Sequence, residues 1–94
     1  MYYLYILRCA DGTLYTGITV ELARRVREHN YSQVGARYTR SRRPVKLVLA
    51  KRFRNRSVAS AAEARVKQLS RQQKLTLVKS GSLRSGLASG KAKK

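Results

Sequence analysis

The chain has 94 residues, 43% of them apolar, and carries 22 Lys and Arg against four acids, a formal charge of +18. That length holds one small domain with a modest core, and the apolar share is too high for a disordered chain. No apolar run reaches the roughly 18 residues of a membrane span; a single cysteine (Cys9) excludes an internal disulfide, and with one histidine (His29) beside it a zinc centre is not expected.

Residues 2–8 are rich in aromatic and branched side chains and read as a strand buried on at least one face. Arg8 interrupts the apolar start and no small-residue cleavage site follows, so no signal peptide is expected; with the lone cysteine, this points to a reducing cytoplasm. Asp11-Gly12 signals a tight hairpin, and Leu14 to Ile18 reads as the returning strand. Gly17 within it suggests a bulge or a close backbone approach by a ligand. Tyr5 and Tyr15 are expected within cross-strand reach.

Thr19 is the expected N-cap of a helix running to about Asn30, with Glu21 in its first turn. Leu22, Val26 and His29 share a face by their spacing. Arg25 borders that face, one turn before His29, while Arg24 and Arg27 look outward. Residues 31–44 read as a polar loop, and Pro44 imposes an extended entry into a third strand, Val45 to Phe53. Its basic side chains suit an edge or a nucleic-acid-facing surface. Ser57 is the expected cap of a second helix to about Leu69, with Ala59, Ala62, Val66 and Leu69 as its apolar stripe. Ser70-Arg71-Gln72-Gln73 reads as a capping box opening a shorter helix to about Lys79, stopped by Gly81. Residues 1–79 form the expected domain, and 80–94 a flexible basic tail.

A charge of +18 repels itself unless a polyanion neutralises it. Nucleic acid is the expected partner, because basic side chains release counterions condensed on phosphates. An anionic membrane competes, but no basic amphipathic helix ending in bulky aromatics is visible. The only acids are Asp11, Glu21, Glu28 and Glu63, too few for a two-metal carboxylate cluster. A phosphodiester-cutting reaction here would use one metal or none.

The order strand, strand, helix, strand, helix, helix, together with two tyrosine triplets, resembles the GIY-YIG nuclease domain family. Tyr3-Leu4-Tyr5 stands where the family has Gly-Ile-Tyr, departing at its first two positions, and Tyr15-Thr16-Gly17 stands where it has Tyr-Ile-Gly. Arg25 and His29 match the arginine and histidine of the following helix, and Glu63 matches the metal-binding glutamate. Residues 37–48 look like the small stand-alone bacterial YhbQ-like subgroup. The resemblance covers residues 2 to about 78 and implies an α/β (α+β) fold, a small three-stranded antiparallel sheet flanked by helices.

It also implies metal-assisted hydrolysis of DNA phosphodiesters with Mg²⁺ or Mn²⁺. Tyr5 or Tyr15 would take a proton from the attacking water, the family favouring Tyr5, once Arg25 and a divalent ion had lowered the phenol's pKa. Arg25 would stabilise the phosphate, Glu63 would anchor the metal, and His29 would hydrogen-bond the second tyrosine or relay its proton. Each residue also has an ordinary reading. The tyrosines suit strands, Arg25 a solvated helix face, and His29 a satisfied core. Glu63 has Lys67 four residues on. One site around a phosphate accounts for all five together.

Arg37, Tyr38, Arg40, Arg42, Arg43 and Lys46 suit a phosphate-tracking surface with one stacking ring. A chain this short has little surface to read base edges, so structured or single-stranded DNA is the expected substrate, in repair or recombination. A non-catalytic nucleic-acid-binding protein retaining the fold, or a basic subunit of a larger assembly, are the alternatives. No small-molecule cofactor is expected, and the oligomeric state stays open.

Overall fold

The computed structural model describes residues 1–31 and 37–81, excepting the Arg37 side chain. Residues 32–36 of the expected polar loop and residues 82–94 of the tail expected over 80–94 lie outside them, while Ser80 ends a helix and Gly81 caps it. The elements are β1 (Tyr2–Arg8), β2 (Leu14–Thr19), α1 (Leu22–Tyr31), α2 (Arg37–Arg40), β3 (Lys46–Phe53), α3 (Arg56–Lys67) and α4 (Arg71–Ser80). The strands form one antiparallel sheet in the order β2-β1-β3. The fold is therefore the expected mixed α+β arrangement with one addition, the short α2 in what reads as a loop. Among the described residues, no helix is long and apolar enough to cross a membrane.

β1 lies in the middle, so its alternation sorts side chains onto two buried faces rather than one. Leu4 and Ile6 pack with Leu49, Ala62, Val66 and Leu77 beneath α3 and α4. Tyr5 and Leu7 pack with Cys9 and Val45, and with Tyr15, Leu22 and Val26 at their margin, on the α1 side. The tyrosines thus share one face and the aliphatic core fills the other.

The hairpin is looser than its Asp-Gly suggests. Arg8 pairs with Leu14, leaving five residues in the connection. Gly12 takes the left-handed conformation at φ 86°, and Asp11 Oδ1 accepts from the Thr13 N–H (3.1 Å) and hydroxyl (2.6 Å). Two expected caps also move. Thr19 stays in β2 opposite Tyr3, and its hydroxyl accepts from the Glu21 N–H (3.1 Å), so α1 opens at the Glu21 carbonyl, bonded by the Arg25 N–H. Asn55, not Ser57, caps α3, because its extended backbone lets Oδ1 accept from the Val58 N–H at 2.9 Å. The Ser70–Gln73 capping box and the left-handed Gly81 stop are as expected.

Side chains tie the α1–β3 connection down. Asn30 makes two hydrogen bonds to the Val45 backbone, accepting from its N–H (2.7 Å) and donating to its carbonyl (3.1 Å). The Arg43 guanidinium donates to the carbonyls of His29 (2.6 Å) and Glu28 (3.2 Å) near the end of α1. The Arg43–Pro44 bond is cis, and β3 begins at Lys46, one residue after its expected start.

Candidate active site

Tyr5 is the hub of the tyrosine face. It pairs with Gly17 across the hairpin, and Leu7 pairs with Tyr15, so the two phenols are diagonal neighbours. Their ring centroids lie 6.4 Å apart. The missing side chain at Gly17 makes room for this, since a Cβ there would lie 2.5 Å from Tyr5 Oη. The close approach read from Gly17 is thus made by the protein's own phenol, and the β1–β2 ladder has no bulge there.

α1 supplies the next two groups. His29 is fully buried, and its Nε2 lies 2.8 Å from Tyr5 Oη. Its other nitrogen, Nδ1, lies 2.7 Å from the buried Thr39 hydroxyl on α2. His29 therefore bonds the first tyrosine rather than the second, because Tyr5 stands on the central strand under α1. The Tyr15 ring packs beside the imidazole at 5.1 Å between centroids. One turn earlier, the Arg25 side chain is 27% exposed while Arg24 is 65% exposed, the inward and outward split that the spacing predicts. Glu28 holds Arg25 at 3.0 Å and also meets Arg24 at 3.4 Å.

Burial dominates the electrostatics. It pushes the Tyr5 phenol up to about 12, and Tyr15 and Glu63 add to the rise, while Arg25 beside it pulls the other way. The lowering expected of Arg25 is present but smaller than the cost of burying a phenolate. Burial likewise carries His29 down to about 4, with Arg25 and Arg43 acting in the same direction. Tyr5 and His29 thus form a neutral pair at ordinary pH.

Glu63, on α3, has a side chain 22% exposed and pairs with Lys67 Nζ at 3.2 Å. The surface pair implied by the i, i+4 spacing therefore exists, and the carboxylate adds only a minor upward push to the Tyr5 phenol. Tyr5, Tyr15, Arg25 and His29 come from β1, β2 and α1 and cluster around Tyr5, while Glu63 on α3 acts on Tyr5 only through its charge, the smallest of the causes that move the phenol.

The basic residues expected to bind nucleic acid divide into two kinds. Arg40 and Lys46 are exposed. Arg43 caps α1. Arg42 donates to Asp11 Oδ2 (3.1 Å) and to the Tyr38 carbonyl (2.8 Å), and its guanidinium covers the Tyr38 ring at 4.1 Å. Tyr38 in turn stacks on Tyr15, with centroids 5.7 Å apart and planes at 30°. Arg42 and Arg43 are therefore structural clamps in this structure, and Asp11 is the anchor of one of them. The Arg37 side chain lies outside the described residues. Thr39 and Glu28 escape the sequence reading. Glu28 carries a local signal, three residues after Arg25; Thr39 carries none, since α2 alone brings it to His29.

The chain is similar to known proteins over most of its length. The chain is 62% identical over 78 residues to the UPF0213 protein DP2720 of Desulfotalea psychrophila, covering 83% of this chain and 71% of that one. It is 51% identical over 77 residues to a UPF0213 protein of Syntrophus aciditrophicus, covering 82% and 88%. The solution NMR structure of the UPF0213 protein BH0048 from Bacillus halodurans superposes with a TM-score of 0.57 at 39% identity, covering 98% and 99% of the two chains. That of EF2693 from E. faecalis superposes at 0.59 and 43% identity, covering 84% and 83%. The GIY-YIG catalytic domain matches residues 1–76. Because that match takes in both tyrosine strands, α1 and the helix of Glu63, the chain belongs to the GIY-YIG catalytic domain family.

Proposed function

We propose that the protein is a metal-dependent endonuclease that hydrolyses DNA phosphodiester bonds, acting on structured or single-stranded DNA in repair or recombination. The observation that carries this reading is the cluster of two phenols, a guanidinium and an imidazole around Tyr5, with the Glu63 carboxylate adding a small electrostatic push to the same phenol.

In this reading Arg25, held by Glu28, binds the scissile phosphate and stabilises the charge that develops on it. The donor set suits one hard divalent cation, Mg²⁺ or Mn²⁺. Glu63 offers a single carboxylate, both His29 nitrogens are engaged, and no group of three or more His, Cys, Asp or Glu gathers among the described residues. Glu63 would hold the ion in place of Lys67. Such an ion, when bound, supplies positive charge to the phosphate and leaving oxygens.

Tyr15 is the phenol that takes the proton from the attacking water. It is half-buried and has no hydrogen-bond partner among the described residues, whereas Tyr5 is 1% exposed, bonded to His29 and raised to about 12. Tyr5 keeps its proton and, with His29 and Thr39, fixes the wall against which Tyr15 packs. Tyr38, Arg40 and Lys46 lie on the nucleic-acid-facing side, while Arg42 and Arg43 hold the connection that presents them.

A second reading, a non-catalytic DNA- or RNA-binding protein retaining the fold, draws on the altered first triplet and on a Tyr5–His29 pair held neutral. Wild type, Tyr15→Phe and Glu63→Ala are to be compared on branched, single-stranded and duplex DNA with Mg²⁺ or Mn²⁺. The nuclease reading expects cleavage by wild type, arrest by chelation, and at least about 100-fold slower cutting by both variants, with affinity within roughly twofold because many cations share the backbone contacts. Binding without cutting on every substrate would establish the second reading. Equal cutting by all three proteins would place the activity elsewhere.

A further inference from the structure

At the hairpin end of the sheet, Thr13, Leu14, Tyr38, Arg71 and Lys74 line a pocket of about 210 Å³. A water takes about 30 Å³ of the liquid, so the pocket has room for a phosphate group and its neighbours. Two of its walls are cations from the first turn of α4. Arg71 Nη2 donates to the Gly12 carbonyl at 3.0 Å, which holds the guanidinium against the hairpin. Neither Arg71 nor Lys74 has a carboxylate partner among the described residues, and Asp11, Glu28 and Glu63 are each paired with other cations. A recess walled by unneutralised cations focuses positive potential and collects anions.

The third wall links the pocket to the candidate active site. Tyr38 stacks on Tyr15, itself beside His29 and Tyr5, and Arg42 pins its ring while Asp11 pins Arg42. The pocket therefore lies one rigid aromatic ring beyond Tyr15.

We propose that this pocket is a phosphate-binding subsite for the nucleic-acid strand. Arg71 and Lys74 hold the oxygens of a phosphodiester next to the one at Arg25, and the edge of the Tyr38 ring, whose faces Tyr15 and Arg42 cover, borders the attached sugar. The neighbouring phosphate at Arg25 rests on the nuclease reading; the anion site itself does not. A strand running from Tyr15 past Tyr38 to the start of α4 must bend into a recess. An unpaired strand does so readily and a stiff duplex poorly, so the subsite favours single-stranded or splayed ends.

The test is a titration of the full chain, without divalent metal, followed by backbone amide shifts. One arm uses the dinucleotide pTpT and the other inorganic phosphate. The expected result is saturable perturbation centred on Gly12, Thr13, Tyr38 and residues 71–74. The dinucleotide should saturate at a concentration at least about fivefold lower than phosphate, through charge-assisted contacts supplemented by the ring. Lys74→Gln should weaken pTpT binding roughly fivefold, Lys74→Arg should retain it, and Lys79→Gln, a loss of the same charge farther along α4, should stay within about twofold. Equal weakening by the two glutamine variants, shifts spread over all basic faces, or equal response to phosphate and pTpT would overturn the proposal. Cleavage is not read, so a failed nuclease reading would leave this result standing, and the reverse.

Discussion

The Tyr5 phenol occupies the space left by the missing side chain of Gly17, where a Cβ would lie 2.5 Å from Oη and 2.7 Å from Cζ. The ring is buried on the central strand and bonded to His29, so it has little freedom to retreat. Gly17→Ala should therefore cost roughly 1–3 kcal/mol through overpacking. A urea midpoint unchanged from wild type would mean that the ring can move aside after all. Folded Gly17→Ala should also cut DNA more slowly, because the Tyr5–His29 bond must lengthen.

Acid should destabilise the protein through His29. Its folded pKa, about 4, lies below the ordinary 6.5, so the unfolded chain binds a proton first. The contribution is complete above about pH 6.5 and is lost as pH falls through about 4, amounting to at most roughly 3 kcal/mol. Thr13 and Arg42 lower the Asp11 carboxyl, so it acts at lower pH still. His29 is the sole histidine, and its ring resonances can be followed without ambiguity. A midpoint near 6.5 would contradict the buried, neutral pair.

Thr39→Val keeps the shape beside His29 and removes the hydroxyl 2.7 Å from Nδ1. A buried nitrogen left without a partner should cost about 1–3 kcal/mol. If Thr39 positions His29, cleavage should fall in kcat with little change in KM, the His29 titration should shift, and Thr39→Ser should restore both. A loss of stability with kcat and titration unchanged would reduce Thr39 to packing.

Arg25→Lys tests whether geometry or charge matters on α1. Glu28 holds one guanidinium nitrogen while the rest of the fork faces Tyr5. An ammonium cannot span both. Cleavage should fall by about 100-fold or more, with DNA affinity nearly unchanged, since net charge is conserved. Equal cleavage by the lysine variant would assign Arg25 to general electrostatics.

Much of the fold was readable because its signals are local. The capping box at Ser70–Gln73, the left-handed Gly81, the stripe of Ala59, Ala62 and Val66, and the inward face of Leu22, Val26 and His29 each depend on residues within one or two turns. The structure departs from the local signals where several acceptors compete. Asn55 and Ser57 can both cap a helix, and only the backbone angles decide between them. The same holds for Thr19, whose strand pairing with Tyr3 keeps it out of α1.

Sequence by itself determined the composition of the candidate site and the elements that carry it: two tyrosines on adjacent strands, an arginine and a histidine one turn apart, and one late glutamate. Which groups bond, and how strongly burial acts on them, was decided by tertiary structure. His29 chose Tyr5 over Tyr15 because β1 is central, and Thr39 reached His29 only through α2. Arg42 and Arg43 became clamps rather than free cations because the α1–β3 connection returns them to Asp11 and the end of α1. Such contacts join residues 10 to 31 positions apart, and desolvation depends on everything packed around a group; neither is encoded in any short stretch of chain.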